Sequence, residues 1–189
     1  MTVIKKIFRK WRSDESGTAV IEAIIIFPIL SWALVAMTVY FDAFRTRSVN
    51  LKAAFTISDL LSRQKGVVDA PYIEGLHTIF NSLISPRHST WIRTTLIRFE
   101  ANDVDDPNDD EHIVVWSYAT GPADEQTDTS ILTVENRIPV MGNGDTAIIV
   151  ETHTNYVPTF DIGLPSTNMD QFIVTRPRFG SPCWETCIN

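Results

Sequence analysis

The chain has only two cysteines, eight glycines and ten prolines among 189 residues. So little Gly and Pro excludes a collagen-like or broadly disordered chain. The cysteines, Cys183 and Cys187, are spaced C-x3-C and cannot complete a structural zinc site alone. The four histidines, His77, His88, His112 and His153, are scattered and supply no ligand pair at short spacing. Two readings of the thiols stand. A disulfide clips the tail if this end leaves the cytoplasm, with modest stabilisation because the loop is small. Otherwise both thiols are unpaired. Phosphate-loop patterns (GxxxxGK, GxGxxG) and the GxSxG nucleophile elbow are missing. Neither a catalytic residue nor a cofactor nor a metal is therefore expected, and the chain does not read as an enzyme. Basic residues are also scarce, 16 against 23 acidic, for a net charge of −7. That balance argues against nucleic acid as a partner, because phosphate binding needs a basic face.

What charge there is lies unevenly. Residues 1–17 carry Lys5, Lys6, Arg9, Lys10 and Arg12 against Asp14 and Glu15, whereas the remainder is strongly acidic. The stretch from Ala23 to Phe41 holds 19 residues without a charge, between Glu22 and Asp42. As a helix it measures about 28 Å, close to the hydrocarbon thickness of a bilayer. Pro28 lies inside it, which membrane helices tolerate. Tyr40 stands where an interfacial anchor belongs, and the basic head places the N-terminus in the cytoplasm. A conventional signal peptide fits poorly. The apolar run is long for one, and nothing between Tyr40 and Arg47 makes a small-x-small cleavage site. Glu22 is the oddity, since a carboxylate at the edge of a span is costly. It reads either as a residue among headgroups or as one that meets a positive partner in an assembly.

The run Asp14-Glu15-Ser16-Gly17-Thr18-Ala19-Val20-Ile21-Glu22, followed by an apolar span with a proline six residues on, resembles the N-terminus of TadE/TadF-like proteins. These are minor pilins, or pseudopilins, of the tight-adherence (Flp, type IVb-like) pilus system. The segment Val174 to Trp184, with its Arg-Pro-Arg and Pro-Cys-Trp elements, is similar to the tail of members of this group. The resemblance covers residues 13–44 and 174–187. It implies that a prepilin peptidase cuts between Gly17 and Thr18. Glu22 would then be the fifth residue of the mature chain and would pair with a neighbouring subunit's new N-terminus. It further implies an inner-membrane, single-pass protein with a periplasmic C-terminal domain, whose partners are other pilin subunits and pilus assembly proteins. Ala23 stands where the family often has an aromatic residue. The runner-up reading is an uncleaved, membrane-anchored periplasmic assembly factor or sensor.

Beyond the span no Gly or Pro interrupts Asp42 to Lys65, and Phe44, Leu51, Ala54, Phe55, Ile57, Ser58 and Leu61 approximate a helical stripe. The spacing predicts one helix from Thr18 to about residue 64, with Gly66 as a stop signal. A second helix is predicted over Asp69–Ser85, capped by Asp69 and opened by Pro71. Strands are predicted at Thr90–Glu100, Glu111–Ala119, Ser130–Ile138, Thr146–Val157 and Gln171–Arg176. Helices followed by a run of strands give an α+β fold with an antiparallel sheet. The expected organisation is a leader (1–17), a membrane helix with an amphipathic extension (18–64) and a periplasmic α+β domain (65–189). Residues 102–111 carry six carboxylates, but Pro107 and the missing glycine break calcium-loop spacing, so a solvated hairpin loop is expected. Glu151 and His153 alternate on one strand face, where a cross-strand contact is expected. Arg176 and Arg178 are expected to pair with acids of the sheet.

Overall fold

Helix α1 spans Ser16–Ser62 in the computed structural model, which describes residues 16–84, 87–101 and 110–186. It passes through Pro28 and continues beyond Asp42. Its end tightens into shorter-range bonds: Arg63 N donates to Leu60 O at 3.3 Å and Gln64 N to Leu61 O at 3.1 Å. Two compact units form. The first joins the chain through Asp42 with Thr159–Leu164; the second takes Ala43–Pro158 and the chain from Pro165 onward.

In the first unit, α1 is exposed along most of its apolar run. Phe27, Leu30, Leu34 and Phe41 all show more than half of their surface, and only Ala36 and Val39 within that run are buried. By length and composition this helix can cross a membrane.

The second unit is an α+β domain built on a four-stranded antiparallel sheet. Strand β1 (Val67–Val68) is followed by α2 (Ala70–Ile84), β2 (Ser89–Ala101) and β3 (Asp110–Ala119). Then come α3 (Asp128–Ile131), a 3-10 turn (Glu135–Arg137), β4 (Thr146–Tyr156), β5 (Thr167–Thr175) and β6 (Cys183–Trp184). The sheet order is β3-β2-β4-β5, and β1 pairs with β6 in parallel. Asp69 caps α2 as expected, with Tyr72 N donating to its Oδ1 at 2.9 Å.

Strand alternation gives the sheet two faces. Ile92, Leu96, Ile148 and Val150 point to one of them and pack with Ala53, Ile57 and Leu61 of α1 and Ile73, Leu76 and Phe80 of α2. Each fully buried Ile, Leu or Phe contributes roughly 1.5–3 kcal/mol. The second half of α1 is thus part of this domain's core. The opposite face buries Ile97, Ala147 and Ile149 under Ile131 and Met141, with Val134 and Ile138 packed alongside.

That second cover corrects one expectation. Ser130–Ile138 is not a strand. Thr127 and Ser130 form a reciprocal capping box that starts α3, and the 3-10 turn follows. Ile131, Val134 and Ile138 are spaced by three and four, so a helical path turns them all toward the sheet. The other elements lie within a few residues of their expected bounds, β5 starting four residues before Gln171.

Candidate functional site

The residues singled out at the N-terminus fall in the first turns of α1. Gly17, Thr18 and Glu22 are all exposed, and the Gly17–Thr18 peptide lies inside the helix. A Cβ added at Gly17 would meet nothing within 4 Å, so close packing does not require glycine there. Glu22 borders a shallow hollow shared with Ala23, Ile26, Phe27 and Leu30. Glu22 is the one polar residue of that lining. Among the described residues it has no ion-pair partner. The arrangement presents one carboxylate on an apolar surface.

The tail makes a strap over the end of α1. Arg178 N donates to Ser62 O at 2.8 Å, and its guanidinium lies 3.1 Å from Asp59. Asp59 also holds Arg63 at 2.8 Å. The expected sheet acid is therefore replaced by a helix acid, because the strap crosses α1. Arg176 pairs at 2.7 Å with Asp145, just ahead of β4. Trp116 donates its indole N–H to Pro182 O at 3.0 Å, and Trp184 lies against the Trp116 and Tyr118 rings. Cys183 is disulfide-bonded and Cys187 falls outside the described residues. Burial pushes the Tyr118 phenol above its ordinary value, and the Glu74 and Glu125 carboxylates add to that rise.

The sheet face under α3 also has a polar half. Trp91 stacks on His153 across β2 and β4, with centroids 5.1 Å apart and planes at 6°. His153 Nδ1 is 2.5 Å from Asp170 on β5. Arg93 Nε donates to Glu151 at 2.5 Å, and its Nη1 donates to Asp124 O at 3.0 Å. Glu151 and His153 therefore share a face, but their ion-pair partners lie on different strands, Arg93 on β2 and Asp170 on β5. Asn155 donates to Asn168 at 3.0 Å beside them. No hydroxyl or thiol nucleophile takes part in these contacts. They tie three strands together.

The other histidines have comparable places. His77 bonds the Thr90 carbonyl and hydroxyl from α2, and His112 meets Glu135 at 2.9 Å, fastening the 3-10 turn to β3. Among the described residues no group of His, Cys, Asp and Glu could hold a metal ion. The acidic stretch 102–111 lies outside the described residues but for its last two.

A polar lock unanticipated from sequence joins α1 to the sheet. Asn50 is fully buried; its Nδ2 donates to Met169 O at 2.8 Å and its Oδ1 accepts from the Thr152 hydroxyl at 3.3 Å. Its signal was its place on the stripe of α1 that continues through Ala53, Ala54, Ile57 and Leu61. The chain matches no family model, no curated protein and no solved structure.

Proposed function

We propose that this chain is a membrane-anchored minor pilin or pseudopilin that helps assemble a tight-adherence pilus by helix packing and protein recognition, without catalysis. One observation carries the reading. A single helix is apolar and exposed through its first half and is core to an α+β domain through its second. Such a helix anchors the domain in the inner membrane and offers the same apolar side chains to neighbouring subunits. The N-terminus lies in the cytoplasm and the domain in the periplasm, or on the fibre after assembly.

In this scheme prepilin peptidase removes residues 1–17 and leaves an ammonium on Thr18. Glu22 of one subunit pairs with the Thr18 ammonium of the next. A carboxylate in the bilayer centre costs roughly 2.5–3.5 kcal/mol, and less near the interface, so pairing relieves a cost that the isolated helix carries. The exposed, unpartnered place of Glu22 on α1 supports this role.

A second reading is favoured by one observation. The Gly17–Thr18 peptide lies within α1, whereas nicking is preferred in exposed, irregular backbone. On that reading the chain stays uncleaved, as a bitopic assembly factor or sensor. The test is the intact mass of the tagged protein from cells with and without prepilin peptidase. The pilin reading expects Thr18 to be the first residue only when the peptidase is present. An intact leader in both strains selects the anchored factor. A cut near residues 36–47 would sink both, because the apolar run would then be a secretion signal.

A further inference from the structure

We propose that the loop Thr159–Leu164 is a second membrane-contact element, which seats in the interfacial layer of a bilayer beside the outer end of the α1 span. The proposal rests on the reading of α1 as a membrane helix.

The loop joins β4 to β5 and reads Thr159-Phe160-Asp161-Ile162-Gly163-Leu164. A connection between strands in water is normally built from polar and turn-forming residues. This one carries a large apolar side chain at every second position. Phe160 is 56% exposed, with Ile162 and Leu164 half-buried. It falls in one compact unit with α1 up to Asp42, apart from the strands it connects.

Its level along α1 is inferred from where burial falls in the compact unit that the loop shares with the apolar run. Ala36 and Val39, the two buried residues of Ala23–Phe41, lie in the last two turns. Tyr40 and Asp42 follow at once. Aromatic residues and the first charge after a span mark the membrane–water interface. A loop held at this level of the helix lies at that interface.

The loop's chemistry suits the location. Its one charged residue, Asp161, is turned back into the loop, where Oδ1 accepts from Gly163 N at 3.3 Å. Gly163 has φ +92°, the left-handed backbone that lets the turn close. No Lys or Arg is present between 157 and 165, so attraction to anionic headgroups supplies nothing. The occupant is therefore the apolar edge of the lipid layer, continuous with the lipid that surrounds α1.

The test uses the full chain in phosphatidylcholine vesicles. A polarity-sensitive fluorophore is attached, without reductant, to the Phe160→Cys variant, and in parallel to Thr159→Cys and Leu34→Cys. Quenchers are lipids bearing a nitroxide near the headgroup or deep in the acyl chain. The shallow quencher is expected to remove about half of the emission at 160 and 159, and the deep quencher less. Leu34 should show the reverse order. Quenching at Leu34 with none at 160 or 159 overturns the loop assignment and leaves the span intact; it is also the result expected if a protein partner covers the loop. No quenching at any of the three positions removes the span reading, and the loop proposal falls with it.

Discussion

The two halves of α1 share a backbone and solve opposite problems. Before Asp42 the helix shows its apolar side chains, Phe27 at 73% and Leu34 at 67% exposed. After Ala43 it buries Ala53, Ile57 and Leu61 against the sheet and α2, at 2% or less. Polar residues invert in the same way. Glu22 stands on an apolar surface with no described partner, whereas Asn50 is fully buried with both ends of its amide bonded. The first half leaves its apolar side chains uncovered by the described chain. The second carries its own cover. A helix's hydrophobicity is thus no guide to its contribution to the fold; what matters is whether the chain itself covers it.

The strongest way to break this contrast is a matched pair of truncations. Leu61→Ala removes a fully buried side chain and should destabilise the domain by about 2–5 kcal/mol. Leu34→Ala should shift it by no more than about 0.5 kcal/mol. Urea denaturation of the full chain in detergent micelles, followed by the near-ultraviolet signal of the tryptophans, reads both. Equal losses would mean that the first half is also packed within the folded chain.

Asn50→Ala sharpens the comparison from the polar side. The substitution takes the amide partner from the part-buried Met169 O and from the buried Thr152 hydroxyl, for a loss of about 1–3 kcal/mol in the same denaturation. An unchanged midpoint would show that water takes the place of the amide and that the lock is not dry.

How much of this was visible beforehand follows from the kind of signal each element leaves. The long helix, the Asp69 cap and four of the five expected strands stood in uninterrupted patterns or end signals, so the α+β class could be read directly. Ser130–Ile138 misled because Ile, Thr and Val favour strands locally. The Thr127 capping box and the three-and-four spacing of Ile131, Val134 and Ile138 outweigh that preference once a sheet face needs cover. The two-residue strands β1 and β6 leave no periodicity at all, being set by the tail strap across α1. Asn50 was hidden because a lone amide on an apolar stripe gives no sign of what it will meet. At the candidate site, Gly17 and Thr18 were picked by resemblance, Glu22 first by its place at the edge of the apolar run, and their exposure on α1 is a separate observation. The grouping of Thr159–Leu164 with the first half of α1 could not be read, because it joins segments far apart in sequence.

The smallest expected effect distinguishes two of the three carboxylates of α1, Glu22 and Asp59. Asp59 meets Arg63 and Arg178, but all three side chains are about half exposed. Water and salt screen such pairs, so Asp59→Asn should cost about 0.2–1 kcal/mol, and less as salt is added. Glu22 has no partner in the described chain to lose. Glu22→Gln should therefore leave the domain's denaturation midpoint in place at every salt concentration, since no described residue forms an ion pair with its carboxylate. Midpoints for both variants, taken at low and high sodium chloride, decide the matter. A salt-dependent loss for Glu22→Gln would give that residue an intramolecular cation, and its role between subunits would have to be abandoned.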